Sequence, residues 1–225
     1  MLGLRQVLLS IIIPTLDAET ELRELLPTLT GADEIVVVDG GSADATAAVA
    51  RAAAARLIAA PKGRGRQLAA GAAAATGDWL MFLHADTSLA PGWRAAVARH
   101  IDNSPDRAAC FRFRLDDPAW QARWVERGVA ARVRLFGLPY GDQGLVVSRA
   151  LYEQVGGYAP VPLMEDVDLV RRIGGRRLRV LPVDAVTSAA RWRKDGWLRR
   201  TGRNSLCLLL YMAGVKPARV ARIYD

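Results

Sequence analysis

Through the first hundred residues, short runs of β-branched residues and leucine alternate with stretches whose apolar residues recur at helical spacing. Residues 7–13, 34–38, 57–58 and 79–83 read as buried strands. They lack the polar alternation of a half-solvated strand, so both of their faces must be covered. Between them, residues 19–29 carry Leu22, Leu25, Leu26 and Leu29 along one helical stripe. Residues 43–55 follow Ser42 as an N-cap, and residues 67–75 form a helix that stops at Thr76-Gly77. Pro91-Gly92-Trp93 opens a further helix to about His100. Strand and helix repeated in this order predict an α/β fold with a mostly parallel central sheet flanked by helices.

The second half is less regular. Residues 109–115 read as a strand and 118–135 as a long helix bearing Arg123, Arg127, Arg132 and Arg134. A strand at 144–147, helices at 149–155 and 165–173, and a strand at 178–181 follow. Residues 196–225 read as a basic helical tail, with Leu206, Leu209, Leu210 and Met212 against Arg199, Arg200 and Arg203. The expected division is one domain over residues 1–190, in two halves (1–88 and 89–190), and a helical extension over 191–225.

The net charge of +8 is almost all arginine and points to an anionic partner: nucleic acid, acidic lipid or a phosphorylated substrate. Cys110 and Cys207 have no metal-ligand spacing and read as ordinary thiols of a reduced, cytoplasmic protein. No run approaches the length of a spanning helix, and residues 7–13 run into Pro14 and Asp17 without a signal-peptide cleavage pattern.

Carboxylates cluster where parallel strands end, which is where open sheets bind ligands. The first strand runs into Asp17 and Glu19, the second into Asp39 and Asp44, the fourth into His84-Ala85-Asp86. Three such ends predict one acidic crevice in a basic protein, a setting for hard-oxygen binding of Mg²⁺ or Mn²⁺ with a diphosphate. There is no G-x-G-x-x-G after the first strand and no P-loop. Gly63-Arg64-Gly65-Arg66 is a basic loop before a helix, suited to phosphate through Arg66, or simply a solvated turn.

The segments Ser10-Ile11-Ile12-Ile13-Pro14-Thr15-Leu16, Val36-Val37-Val38-Asp39-Gly40-Gly41-Ser42, Phe82-Leu83-His84-Ala85-Asp86-Thr87, Gly156-Gly157-Tyr158 and Met164-Glu165-Asp166-Val167-Asp168-Leu169 resemble, in order and spacing, glycosyltransferase family 2 of the GT-A fold. Within it, Gly63-Arg64-Gly65-Arg66-Gln67-Leu68, Tyr140-Gly141-Asp142-Gln143-Gly144 and Pro162-Leu163-Met164-Glu165-Asp166 resemble most a bacterial subgroup called selenodomain-associated or arsenosugar-biosynthesis glycosyltransferases.

The resemblance implies a nucleotide-diphosphate sugar (UDP or GDP) as donor, a divalent metal, and single displacement onto an acceptor hydroxyl with inversion. Asp39 resembles the residue that bonds the donor base, with Pro14, Thr15, Asp17, Glu19, Gly40 and Ser42 bordering the same pocket. Asp86 resembles the last acid of the D-x-D metal motif, with Ala85 between it and His84. His84 stands in place of the first acid and is a second ligand better suited to Mn²⁺ than to Mg²⁺. Asp166 resembles the general base. Asp142, Gln143, Glu165, Arg191 and Trp192 are expected on the acceptor side. Ala69 replaces an Asn common in the wider family.

Other readings of the same residues stay open. Asp39 can be a helix-entry cap, and Glu165-Asp166 an acidic first turn favoured by the helix dipole. A non-catalytic nucleotide-sugar binder or membrane-associated scaffold would share this fold. A sugar-phosphate nucleotidyltransferase would need a Gly-rich, Lys-containing turn after the first strand, which Pro14–Glu19 lacks. A nucleic-acid module accounts for the charge but not for the acids. The tail can lie on an anionic membrane at the cytoplasmic face, pack on its own domain, or join two copies as a homodimer.

Overall fold

The structure, a computed structural model, describes residues 7–224. Eight strands form one sheet in the order β3-β2-β1-β4-β7-β6-β8-β5. The first half of the chain supplies β1 (Leu9–Thr15), α1 (Glu19–Leu25), β2 (Glu34–Asp39), α2 (Thr46–Ala52), β3 (Arg56–Ala59), α3 (Arg64–Ala74), β4 (Trp79–Phe82), β5 (Thr87–Leu89) and α4 (Trp93–Asn103). The second supplies β6 (Ala108–Leu115), α5 (Trp120–Phe136), β7 (Leu145–Ser148), α6 (Arg149–Gln154), α7 (Glu165–Ile173), β8 (Leu178–Thr187), α8 (Ala190–Asp195), α9 (Trp197–Met212) and α10 (Pro217–Tyr224).

Strands β3, β2, β1 and β4 are parallel throughout, as the alternation requires. Beyond β4 the sheet is mixed: β7 runs antiparallel to β4 and β6, β8 is parallel to β6, and β5 is antiparallel to β8. The uninterrupted apolar runs are explained by burial on both faces. Successive side chains of a strand point to opposite sides, so Ile11, Ile13, Val37 and Met81 enter one core while Ile12, Val36, Val38, Leu80 and Phe82 enter the other. Each such side chain contributes roughly 1.5–3 kcal/mol when fully buried.

The expected helix from 43 to 55 is shorter, and Ser42 does not cap it. α2 begins at Thr46 with no side-chain cap on Ala45. The Ser42 hydroxyl instead bonds Asp39 Oδ1 (2.5 Å) and accepts from the Asp17 amide. The tail folds back on its own domain, one of the three arrangements open from sequence. Cys207 and Val220 are fully buried within the same core as Ile12, and the Tyr211 hydroxyl reaches Asp168 Oδ1 on α7 (3.3 Å). No helix among the described residues is long and apolar enough to cross a membrane.

Candidate active site

Two cavities meet at the carboxyl ends of β1 and β4. The outer cleft, about 420 Å³, is lined by Pro14, Thr15, Asp17, Lys62, Arg64 and Arg191, and Ala85 and Asp86 also face it. The inner one, about 90 Å³, is lined by Tyr140, Gly141, Asp142, Asp166 and Trp192, with Arg200, Asn204 and Tyr224 from the tail. His84, Asp86, Arg64 and Arg191 border both.

The polar stitching of the loops explains which acids remain available. Asp39 accepts from the Ser42 amide at 3.1 Å and from its hydroxyl. Asp44 accepts from the Thr46 and Glu19 amides, and Glu19 from Arg23 and the Ala45 amide. Asp17 accepts from the Ala43 amide at 2.8 Å while still facing the outer cleft. These bonds tie the loop after β1 to the loop after β2. The single acidic crevice is therefore corrected to a mixed one: Asp17 and Asp86 face the outer cleft beside Lys62, Arg64 and Arg191, while Asp39 and Ser42 bond each other and Glu19 accepts from Arg23 and the Ala45 amide. Gly40 gives its amide to the Thr15 carbonyl (2.9 Å).

Asp86 sits where β4 turns into β5, and among the described residues its carboxylate makes no side-chain hydrogen bond. The His84 ring lies against Gly141: a Cβ there would meet His84 Nε2 at 2.5 Å and Asp166 Oδ2 at 3.5 Å. Only glycine fits that gap. The Gly141 amide donates to Asp166 Oδ2 at 2.7 Å, which aims the carboxylate into the inner cavity. Asp166 is the second residue of α7, which opens at Glu165 directly after Met164, whose φ of 64° places a non-glycine residue in the left-handed region. Burial, with the charges of Arg64 and Arg191, holds His84 well below the usual imidazole range. The ring is neutral at physiological pH and able to act as a ligand.

Asp142 has a buried Oδ1 without a hydrogen-bond partner. Burial pushes its carboxyl up to about 7 against the pull of Arg132, with Asp166 and Asp86 adding to the rise. Glu165 is 1% exposed and pairs with the guanidinium of Arg64. Burial raises its carboxyl, Arg64 opposes the rise and Asp166 adds to it, for a net upward shift.

Three expected placements differ. Arg66 is exposed, and the arginine that reaches the site is Arg64: α3 begins at 64 rather than 67, so both are helical and, two residues apart, project to nearly opposite sides of the helix. Gly65 allows the approach: a Cβ there would lie 2.4 Å from the Ala159 carbonyl. Gln143 is buried with its amide donating to the Phe111 carbonyl (3.1 Å), so it braces β6 rather than facing the acceptor side. Glu165 likewise turns to Arg64. Trp192 lines the cavity with its ring, and its indole N–H donates to Thr201 (3.3 Å). Tyr140, Arg200, Asn204 and Tyr224 were not assigned to the site from sequence. The basic tail gave one signal, since arginines on a helix that folds back must meet acids or aromatic faces: Arg200 lies over the Tyr224 ring at 4.8 Å and bonds its hydroxyl at 2.5 Å.

Among the described residues, no group of three or more His, Cys, Asp or Glu side chains could hold a metal ion alone. The donor set fits a cation shared with a ligand: Asp86 as carboxylate, neutral His84 beside it, and remaining positions for diphosphate oxygens and water.

The sequence profile of Glycosyl transferase family 2 matches residues 10–157, about two thirds of the chain. The chain belongs to this family. The family 2 glycosyltransferase matches no curated protein significantly, but its fold is shared with solved transferases. Residues 1–349 of TarS from S. aureus are 16% identical with a TM-score of 0.63, covering 96% of this chain and 69% of that one. The mannosyltransferase PcManGT from Pyrobaculum calidifontis, in complex with GDP-Man and Mn²⁺, is 19% identical with a TM-score of 0.68, covering 90% and 61%. Glucosyl-3-phosphoglycerate synthase from Mycobacterium tuberculosis, in complex with Mn²⁺, UDP and glucosyl-3-phosphoglycerate, is 20% identical with a TM-score of 0.60, covering 93% and 81%. The chain thus spans well under the full length of each, and at these identities the likeness is one of fold, the GT-A architecture of a curled mixed sheet between helices.

Proposed function

We propose that the protein transfers a sugar from a UDP or GDP donor to an acceptor hydroxyl, with inversion at the anomeric carbon and Asp166 as the general base. One observation carries this reading: the Asp166 carboxylate, aimed by the Gly141 amide, faces the same cavity as Asp86 and His84. Acid for the metal–diphosphate and base for the acceptor therefore border one space.

The donor diphosphate lies in the outer cleft, where Lys62, Arg64 and Arg191 supply positive charge and guanidinium forks suited to phosphate oxygens. Asp17, Thr15 and Pro14 border the nucleoside end. A divalent cation held by Asp86, with His84 as a second ligand, would neutralise charge on the departing diphosphate. The acceptor hydroxyl enters from the inner side. Asp166 takes its proton as the acceptor oxygen bonds to the anomeric carbon and the bond to the diphosphate oxygen breaks. Attack and departure on opposite faces invert the configuration, and no enzyme nucleophile is required. Complexes of structurally similar transferases with GDP-Man and with UDP support the donor class.

The test is Asp166→Asn, which keeps an oxygen to accept from Gly141 while losing the proton acceptor. Transfer is expected to fall at least 10²-fold, the lower range for general-base catalysis, with Mn²⁺-dependent nucleotide-sugar affinity unchanged. Transfer at the wild-type rate would remove Asp166 from the base role.

A further inference from the structure

A second, larger cavity runs between α5 and α9 and abuts the catalytic one. Its volume is about 720 Å³, and Tyr140, Asp142, Trp192 and Asn204 form walls of both. Away from that shared wall the lining is mostly apolar, through Val129, Leu208, Leu209 and Trp124, with Arg127, Thr201 and Ser205 among them. In this groove Trp124 is 56% and Leu209 66% exposed, and Trp120, one helical turn before Trp124 on α5, is exposed as well. Apolar groups left in water on this scale mark a binding surface rather than a packed one.

The face of α5 that lines this groove reads Trp124, Gly128, Arg132, at helical i, i+4, i+8 spacing. Arg132 is fixed at the inner end, over the Tyr140 ring at 3.5 Å. Gly128 is in the middle of a 17-residue helix, where glycine is a poor helix former. No packing explains it, since a Cβ built there meets nothing within 4 Å. The missing side chain leaves the middle of the groove open. An apolar groove with a polar inner end is complementary to an amphiphile, and its shared wall joins it to the space proposed for the acceptor.

We infer that the α5–α9 groove holds the hydrocarbon chain of an amphiphilic acceptor whose hydroxyl-bearing head reaches the catalytic cavity over the wall formed by Tyr140, Asp142, Trp192 and Asn204. The inference rests on the transferase reading for the identity of the head, while the groove itself can be tested without a nucleotide sugar. Exposed Arg127, which lines the groove one helical turn from Trp124, places positive charge there, which favours loading from an anionic surface.

The experiment is calorimetric titration of the full chain with n-alkyl β-D-glucosides, methyl to nonyl, each below its micelle concentration, with Gly128→Leu in parallel. Each methylene buried in the groove is expected to tighten binding roughly threefold to fourfold. Gly128→Leu fills the groove and improves the helix, so it is expected to raise the melting temperature and abolish the chain-length dependence. Binding of Mn²⁺ with UDP- or GDP-sugar should stay unchanged. A flat chain-length series in the wild type, an unaltered series in Gly128→Leu, or a dimer that Gly128→Leu disperses would overturn the inference; the last outcome would assign the groove to a second copy. Loss of nucleotide-sugar binding in the wild type would instead sink the transferase reading and leave the chain-length series to judge the groove alone.

Discussion

Replacing Arg64 with Met strips the cation from Glu165, a carboxylate that is 1% exposed and already has one buried oxygen, Oε2, without a partner. Removing one member of a buried pair costs about 3–5 kcal/mol, because the other charge is left uncompensated. Arg64 keeps 35% of its side-chain surface in solvent, which places the expected loss near the lower end, about 3 kcal/mol. For a chain of this length that lowers the melting temperature by about 6–12 °C.

The pH dependence has a definite sign. Burial raises the Glu165 carboxyl above its ordinary value of 4.5, and Arg64 opposes the rise. In Arg64→Met the opposition is gone and the folded-state value climbs further. A carboxyl raised in the folded state binds its proton there first, so stability increases as pH falls toward 4.5 and is lost as pH rises through the folded-state value. Urea unfolding at pH 5.5 and pH 8 should show the larger deficit at pH 8. Arg64→Met/Glu165→Met should recover most of the loss, since a pair of apolar side chains of similar size replaces a buried ion pair at little cost. A deficit below about 1 kcal/mol, equal at both pH values, would refute the reasoning that Glu165 depends on Arg64.

Two further substitutions probe the site. Gly141→Ala puts a Cβ 2.5 Å from His84 Nε2, so the ring must move; the Mn²⁺ concentration for half-maximal transfer is expected to rise at least tenfold, read by metal titration of activity. Asp142 has a carboxyl raised mainly by burial, from 3.8 to about 7, so it favours folding at low pH and loses that contribution as pH rises across this window. Asp142→Asn should flatten the slope of stability between those values and be more stable than wild type at pH 8, measured by urea unfolding in EDTA.

The parallel half of the sheet was legible because its strands are apolar on both faces, a pattern few other architectures demand. What escaped depends on long-range contacts. Ser42 has an N-cap's residue type and position, but Asp39 and Asp17 compete for its hydroxyl and amide, and the helix starts four residues later. The strand expected to end at 181 continues to Thr187, because Pro182 falls where the β6–β8 register slips between Cys110 and Arg112, and an irregularity needs no donor from proline. β5 is three residues long and exists through its pairing with β8, invisible to local periodicity. At the site, the motifs located Asp86, His84 and Asp166, which the fold brings to one cavity. They did not distinguish Arg64 from Arg66, because that depends on where α3 begins. They also gave no sign that Arg200, Asn204 and Tyr224 of the tail line the inner cavity.

The measurement closest to the central claim is thermal shift and donor hydrolysis with UDP- and GDP-sugars, with Mn²⁺ and with EDTA, for wild type and Asp86→Asn. The account predicts a nucleotide-sugar shift and slow hydrolysis in the wild type with Mn²⁺, both lost in EDTA and both lost in Asp86→Asn. A shift and hydrolysis that persist undiminished in EDTA and in Asp86→Asn would contradict it.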